Sequence, residues 1–229
     1  MKDYIKRETS LHKNYNFNFN QTMDFKCGFF VMILLFCFSC VDNIPEPFLD
    51  GKNTIFTSIP ESHSNIDFEN KVKESEDFNF LNFSYIYNGG GVAVGDINND
   101  GLEDIYFTSN QNSNKLYLNK GNFVFEDITE RAGVEDDKGW STGVTMVDIN
   151  NDGWLDIYVC KSASIDTPKL RENKLYINQK NNTFKEDGKS WGLNHNGFSI
   201  QSYFFDYDND GDLDMYLVNH RIDFENTLR

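Results

Sequence analysis

The chain has 229 residues, with 36 acidic and 21 basic side chains and a formal net charge of -15. This length allows one sizeable domain with a hydrophobic core, while the acidic balance excludes an electrostatic surface for nucleic acid and suits cations instead. The 21 Phe and 11 Tyr, beside only 4 Pro, favour strands over helices.

The first predicted feature is an apolar run at residues 27–39. It is too short to span a bilayer, which takes about 20 residues. Its position and the small Ser39 before Cys40 are typical of a signal peptide with its cleavage site. The end of the run resembles a bacterial lipoprotein lipobox, although Cys37 stands where Leu is usual. We predict a lipoprotein-type signal peptide at 23–40, lipidated on Cys40; plain secretion and a buried core segment are the alternatives.

The segments around this signal carry no repeated pattern. We interpret residues 1–22 as an extension upstream of the true start at Met23, or else as a disordered tail. Residues 41–54 contain Pro45, Pro47 and several turn-forming residues, which predicts a tether. The folded part is predicted at 55–229, and its single cysteine, Cys160, lies in an apolar run that predicts a buried structural thiol.

One pattern then recurs three times, as GVAVGDINNDGLEDIYFTS from residue 91, GVTMVDINNDGWLDIYVCK from 143 and SYFFDYDNDGDLDMYLVNH from 202. The first two copies continue alike, through NKLYLN at 114–119 and NKLYIN at 173–178. Each full copy offers four short apolar runs separated by Asn, Asp and Gly, which predicts a four-stranded antiparallel unit. Units of roughly 50 residues with this pattern are typical of propeller blades.

We therefore predict an all-β fold of β-propeller blades, each with four antiparallel strands, and keep a β-sandwich as the alternative. Two full copies and the opening hairpin of a third predict an open arc of about three blades. Because closed propellers have about four to eight blades, we expect an N-terminal fragment of a longer protein. Residues 55–90 are expected to add strands of an incomplete leading blade.

Each copy contains a loop of the form D-x-[ND]-x-D-G-x-x-D. Oxygen ligands at positions 1, 3 and 5 can converge on one point, and Gly at position 6 permits the sharp turn. Position 7 would add a backbone carbonyl, and Asp at position 9 would complete the ligand set. The predicted metal ligands are Asp96, Asn98, Asp100, Leu102 and Asp104 in the first loop, Asp148, Asn150, Asp152, Trp154 and Asp156 in the second, and Asp206, Asp208, Asp210, Asp212 and Asp214 in the third.

The metal is predicted to be Ca2+, at about three sites, because Mg2+ prefers to keep its waters. The loops contain neither His nor Cys, which argues against zinc. An EF-hand would carry Glu at position 12 between helices, whereas position 12 here is Phe107, Val159 or Leu217, within strand-like flanks. One such loop alone could be only an Asx-rich turn. The third loop has five acidic residues and is expected to bind most tightly.

These motifs resemble the FG-GAP or VCBS-type repeats of integrin-like propellers. The phrases YNGGGVAVGDINNDGLEDIYFTSN, NKLYLNKGNFVFEDITERAGV and FFDYDNDGDLDMYL are particularly similar to large bacterial VCBS repeat lipoproteins that often end in an ASPIC/UnbV domain. The resemblance covers about residues 56–229. It implies a seven-bladed fold, calcium sites and an exported location, and it implies no particular ligand.

The leading functional hypothesis is a surface-anchored, non-enzymatic module for adhesion or binding of an unknown protein or glycan. The expected location is the cell envelope or cell surface, as an outer-membrane lipoprotein. The lipid anchor would be the only contact with the membrane. One alternative is part of a polysaccharide-active enzyme, for which His195 and His220 are isolated in the sequence. The other is a structural subunit of an outer-membrane uptake or assembly complex.

Overall fold

A computed structural model describes residues 56–220 of the chain. The predicted extension, signal peptide, lipidation site Cys40 and tether lie outside the described residues, and no helix within 56–220 is long and apolar enough to cross a membrane. The described elements are helix α1 (Glu61–Ser64), strands β1 (Val92–Gly95), β2 (Asp104–Phe107), β3 (Lys115–Asn119) and β4 (Phe125–Asp127), helix α2 (Thr129–Ala132), strands β5 (Trp140–Val147) and β6 (Asp156–Ser162), a 3-10 helix (Pro168–Arg171), and strands β7 (Lys174–Asn178), β8 (Phe184–Glu186), β9 (Ser199–Phe205) and β10 (Asp214–Asn219).

The strands form three antiparallel units in sequence order. Strands β1–β4 form a four-stranded sheet, blade 1; β5–β8 form a second, blade 2; and β9 pairs with β10 as a hairpin, blade 3. The predicted all-β fold of four-stranded antiparallel blades is confirmed. In each unit the first two strands pair so that the residue before the Asp-rich loop faces its last Asp, as Gly95 faces Asp104 and Val147 faces Asp156.

The blades pack face to face through a repeated set of side chains. One core cluster joins Ala93, Tyr106 and Leu116 of blade 1 to residues such as Val144 and Ile157 of blade 2. The second cluster uses the equivalent positions one blade further on, and its members include Tyr158, Cys160, Leu175, Phe204, Met215 and Leu217. Burial raises the pKa of the Cys160 thiol to about 12, which suits the predicted structural role.

The leading segment, residues 56–91, contains α1 and turns and no strand. The expectation of leading-blade strands here is wrong, because the aromatic residues pack as a cluster instead of alternating along a sheet. Phe78 and Phe83 lie 5.2 and 5.7 Å from the Trp140 ring at the start of β5. Phe68 stacks on Phe107 of blade 1 at 4.8 Å.

Candidate metal-binding loops

Loop 1 (residues 96–104), loop 2 (148–156) and loop 3 (206–214) share one backbone conformation. Position 6 is glycine with positive φ in each, as at Gly101 with φ 85°. Position 4 is also left-handed in each loop, at Asn99, Asn151 and Asn209, with φ of 58°, 54° and 62°. Asn tolerates this region better than most side chains. This role of position 4 was not predicted, although the recurrence of Asn there in every copy was its sequence signal.

The first Asp of each loop organises the turn around its carboxylate. In loop 1, Asp96 Oδ1 accepts the backbone N–H of Asp100 at 3.1 Å, and Oδ2 accepts that of Gly101 at 2.7 Å. The same pair of bonds measures 2.9 and 2.8 Å at Asp148, and 3.2 and 3.1 Å at Asp206. Each loop is therefore wrapped around its first carboxylate.

The side chains at positions 3 and 5 are brought beside this first Asp. In loop 3, ligand oxygens of Asp206, Asp208 and Asp210 all lie within 4.8 Å of one another, and all three residues are exposed. The side-chain hydrogen bond between Asp212 and Asp210, together with the Asp210 charge, raises the pKa of Asp212. Loop 3 thus concentrates negative charge that a bound cation would neutralise.

Loops 1 and 2 have an amide at position 3. The Oδ1 atoms of Asn98 and Asn150 each accept the backbone N–H of the Asp at position 5, at 3.1 Å. In loop 1, Asn98 Nδ2 also donates to Asp100 Oδ2 at 3.0 Å. In loop 2 the corresponding oxygen of Asp152 lies 3.3 Å from Lys180 Nζ.

The Asp at position 9 is buried in the two complete blades. Asp104 accepts the backbone N–H groups of Ile97 at 3.0 Å and of Asn119 at 2.7 Å, and burial raises its pKa to about 6. Asp156 makes the same two bonds, to Ile149 and Asn178, and burial also raises its pKa to about 6. A carboxylate oxygen can accept more than one bond, so these residues keep free lone pairs for a ligand role.

The other predicted ligands at the end of the loops follow the same repeat. Asp214 accepts the backbone N–H of Tyr207 at 2.9 Å. At position 7, the backbone N–H groups of Leu102, Trp154 and Asp212 donate to the Asp at position 5, at 2.9, 3.0 and 3.1 Å. The ligand roles at positions 1, 3, 5, 7 and 9 of all three loops stay predictions.

Two asparagines that were not predicted as functional residues hold the ends of loops 1 and 2 in place. Asn119 and Asn178 end β3 and β7, and each side-chain amide donates to the carbonyl of its loop's position 8, Glu103 at 2.8 Å or Leu155 at 3.0 Å. The repeated final Asn of NKLYLN and NKLYIN was the signal. Each holds the end of its loop against the third strand of the blade.

The donor set of each loop fits a hard divalent cation. All candidate side-chain ligands are carboxylate or amide oxygens, which Ca2+ and Mg2+ prefer over softer nitrogen and sulfur donors. Oxygens that share a Ca2+ at 2.3–2.6 Å lie within about 5 Å of each other. The three carboxylates of loop 3 meet this spacing, at up to 4.8 Å.

Comparison with known proteins places the loops within a described repeat. A family model for the FG-GAP-like repeat matches residues 96–159 and 163–217, together more than half of the chain. The first match begins at Asp96, the first residue of loop 1, and the two matches together contain all three loops.

Individual relatives match over shorter regions. Cartilage acidic protein 1 of Xenopus tropicalis is 42% identical over 72 residues, which is 31% of this chain and 11% of that protein. The Mus musculus protein of that name is 39% identical over 69 residues, 30% of this chain and 11% of its own length. Integrin alpha-8 of Gallus gallus is 28% identical over 156 residues, 60% of this chain and 15% of that protein. The chain therefore spans only 11% to 15% of these relatives.

Proposed function

Because the chain belongs to the FG-GAP-like repeat family, we propose that its loops bind about three Ca2+ ions, which stabilise the blades of an exported binding module. The observation that carries this proposal is the repetition of one scaffold in three loops. In each loop the backbone wraps around the first Asp, and the side-chain oxygens at positions 3 and 5, which are candidate metal ligands, lie beside it. Accidental acidic turns would not reproduce these bonds in all three places.

The expected role of the cation is structural. Clustered carboxylates repel one another, and an ion that binds only the folded state adds to its free energy of unfolding. Exported calcium modules commonly have Kd of about 10⁻⁴ to 10⁻³ M, which matches calcium outside the cell. The cation supplies positive charge between the carboxylates, while the chain's own residues fix the position of each donor.

Thermal unfolding of the full chain in EDTA, in excess CaCl2 and in excess MgCl2 tests this proposal. We expect calcium to raise the Tm by several degrees and more than magnesium, since a ligand at 100 times its Kd adds about 2.7 kcal/mol. Equal Tm values in EDTA and calcium would refute the proposal.

Loop 3 offers a variant that separates cation binding from loop folding. Within residues 56–220, no backbone N–H donates to the Asp208 carboxylate, which nevertheless lies in the three-carboxylate group. Asp208→Ala should therefore keep or slightly raise the Tm in EDTA, because it relieves repulsion between the carboxylates, and it should reduce the gain from calcium. The matched control is Asp137→Ala, which removes an exposed charge outside the loops and should keep the full gain.

The proposed location rests on the apolar run at 27–39 and on Cys40. We propose that Cys40 is lipidated and anchors the module to the cell envelope, as in bacterial VCBS repeat lipoproteins with an ASPIC/UnbV domain. Metabolic labelling with a fatty acid should mark the native protein and not Cys40→Ala, and the variant should leave the membrane fraction. An unlabelled, unanchored native protein would overturn this part of the proposal.

The proposed activity is binding of a protein or glycan, not catalysis. One histidine weighed for catalysis, His220, stacks on the Tyr85 ring at 3.8 Å, and burial lowers its pKa. This packing favours a structural role for its imidazole. A glycan array probed with the full chain in calcium and in EDTA tests the binding role, and calcium-dependent retention is the expected result. Turnover of a retained polysaccharide would instead support the enzymatic alternative.

A further inference from the structure

Asn178 lies between loop 1 and loop 2 and contacts both. Its backbone N–H donates to Asp156 Oδ1 of loop 2 at 2.8 Å. Its side-chain Nδ2 donates across the blade boundary to the carbonyl oxygen of Ile97, the second residue of loop 1, at 2.8 Å. Asn178 is 3% exposed and Ile97 is 1% exposed. This bond is therefore shielded from water, which strengthens it and makes its loss costly.

The contact continues into the base of loop 1. The backbone N–H of Ile97 donates to Asp104 Oδ2 at 3.0 Å. A hydrogen-bonded path thus runs from Asp156 through Asn178 and Ile97 to Asp104, and both terminal carboxylates are fully buried. Ile97 also lies between Asp96 and Asn98, two of the predicted ligands. A shift of Asp156 in loop 2 would therefore have to move Asp104 in loop 1, and the reverse.

A second link joins the two loops nearer the solvent. Asn99 Nδ2, at position 4 of loop 1, donates to the carbonyl oxygen of Gly153, at position 6 of loop 2, at 3.0 Å. Two independent bonds therefore link loop 1 to blade 2, one to Asn178 at the end of β7 and one directly to loop 2. Among residues 56–220, no hydrogen bond directly joins loop 2 to loop 3.

From these contacts we infer that Asn178 is a positioning residue that couples cation binding in loops 1 and 2, so that occupancy of one loop raises the affinity of the other. The inference rests on the proposed calcium function of the loops. A cation that orders loop 2 also holds Asn178 and hence Ile97, so loop 1 loses less conformational entropy when its own cation binds. The coupling is reciprocal, and loop 3 stands outside it.

The chain contains its own control for Asn178. Asn119 occupies the same place in blade 1, and its Nδ2 donates to Glu103 of its own loop at 2.8 Å. Its Oδ1 accepts the backbone N–H of Gly121 at 2.9 Å, as Asn178 Oδ1 accepts that of Lys180 at 2.8 Å. Asn119 therefore matches Asn178 in every local bond and differs in lacking the bond to a neighbouring loop.

Loop 2 also contains its own reporter, because Trp154 at position 7 can sensitise Tb3+ luminescence. Tb3+ is a hard, oxygen-seeking ion that substitutes for Ca2+, and Trp154 is the tryptophan that lies within an Asp-rich loop. Titration of the full chain with Tb3+, excited where tryptophan alone absorbs, then reports occupancy of loop 2. For this assignment to hold, Trp154→Phe must abolish the signal, and so must Asp152→Ala, which disables loop 2 itself.

The test is a double-mutant cycle on the affinity of loop 2 for Tb3+. Disabling loop 1 with Asp100→Ala should weaken Tb3+ binding to loop 2 by about fivefold or more, the usual range of coupling between sites. In an Asn178→Ala background, which leaves only the bond from Asn99 to Gly153, the same change should cost clearly less than fivefold, whereas in an Asn119→Ala background it should again cost about fivefold. An equal effect of Asp100→Ala in all three backgrounds would overturn the inference.

Two further observations keep the test decisive. If Asn178→Ala does not fold, Asn99→Gly removes the second link without a steric cost at its positive φ, and should weaken the coupling; Asn151→Gly, at the same position of loop 2, is its control. If loop 2 binds neither Tb3+ nor Ca2+ in the native chain, the proposed calcium function fails. If it binds and Asp100→Ala has no effect on its affinity, the coupling alone fails.

Discussion

The phenol of Tyr158 donates a hydrogen bond of 2.8 Å to the backbone carbonyl oxygen of Leu193. Blade 1 repeats the arrangement, since Tyr106 donates to the carbonyl of Val134 at 2.9 Å. Both tyrosines are fully buried. Each bond ties the segment that follows the fourth strand back to the second strand, so the outer edge of each complete blade is held to its centre.

Tyr158→Phe should lower the free energy of unfolding by about 1–3 kcal/mol, because it leaves a carbonyl without its donor. The loss also removes the acceptor of Asn173 Nδ2, which donates to the Tyr158 oxygen at 3.0 Å. Urea denaturation measures the change. Tyr207→Phe is the control, since Tyr207 is 76% exposed, and it should stay within about 0.5 kcal/mol of the native chain. Equal effects of the two changes would contradict the role assigned to the phenol.

The parts of this structure that the sequence predicts are the local ones. The Asp-rich turns and their flanking strands depend on residues within one short segment, and their repetition shows the blade register. The left-handed role of Asn99 in its turn was equally local and could have been found from the recurrence of Asn at position 4 of every copy. In contrast, the bond from Asn178 to Ile97 joins residues far apart in the chain, and no spacing within one repeat encodes it. The prediction of strands in the leading segment was wrong for the same reason, because Phe78 and Phe83 pack on Trp140, which is distant in the sequence.

Gly143 of β5 lies against Ile200 and Gln201 of β9, in the neighbouring blade. A Cβ atom added there would overlap the backbone carbonyl oxygen of Ile200 and the side chain of Gln201. Because a backbone atom cannot rotate away, Gly143→Ala should force the blades apart and cost about 1–3 kcal/mol or more. Thermal unfolding of the variant in excess calcium measures the effect.

Gly95→Ala tests whether a clash with backbone atoms causes the loss of stability expected for Gly143→Ala. Its added Cβ would lie 2.7 Å from Leu155 Cδ1 and 3.0 Å from Met146 Sδ, the ends of flexible side chains. We expect a smaller loss at Gly95 than at Gly143. The reverse order would show that blade separation is not limited by the close approach of β5 and β9.

Lys161 and Asp136 form an ion pair that is almost closed to solvent, with side chains 2% and 8% exposed. Lys161 also donates to the carbonyl oxygen of Lys138, and burial lowers its pKa. Asp136→Ala should therefore cost about 3–5 kcal/mol, because it leaves a buried ammonium without its counter-ion. The deficit should shrink at alkaline pH, where Lys161 can lose its proton without penalty.

A matched variant removes the buried ammonium of Lys161 together with Asp136, so that no unpaired charge is left. Lys161→Met in combination with Asp136→Leu should be much more stable than Asp136→Ala, since apolar replacement of a buried pair is often neutral. Blade 1 has Ser109 at the position equivalent to Lys161, so a four-stranded blade of this repeat can form without such a pair. A double variant as unstable as Asp136→Ala would mean that packing, not the unpaired charge, causes the loss.

In the metal-free protein, the buried Asp156 should make the free energy of unfolding depend on pH. Burial raises its pKa from an ordinary value of 3.8 to about 6, so the folded state binds a proton more tightly than the unfolded state does. This group's contribution to the free energy of unfolding is fully present below pH 3.8 and is lost as the pH rises through about 6. In EDTA, the stability of the native chain relative to Asp156→Asn should fall by roughly 1–3 kcal/mol between these limits.

Calcium should reverse this slope if Asp156 faces the cation. A bound divalent ion favours the carboxylate over the acid and lowers its pKa, so the native chain should gain stability over Asp156→Asn as the pH rises through the same window. Denaturation of both proteins at several pH values, with and without calcium, supplies the two curves, and Asp137→Asn controls for net charge. Parallel curves in EDTA and in calcium would show that the Asp156 carboxylate supports the loop through Ile149 and Asn178 alone, without contacting the ion.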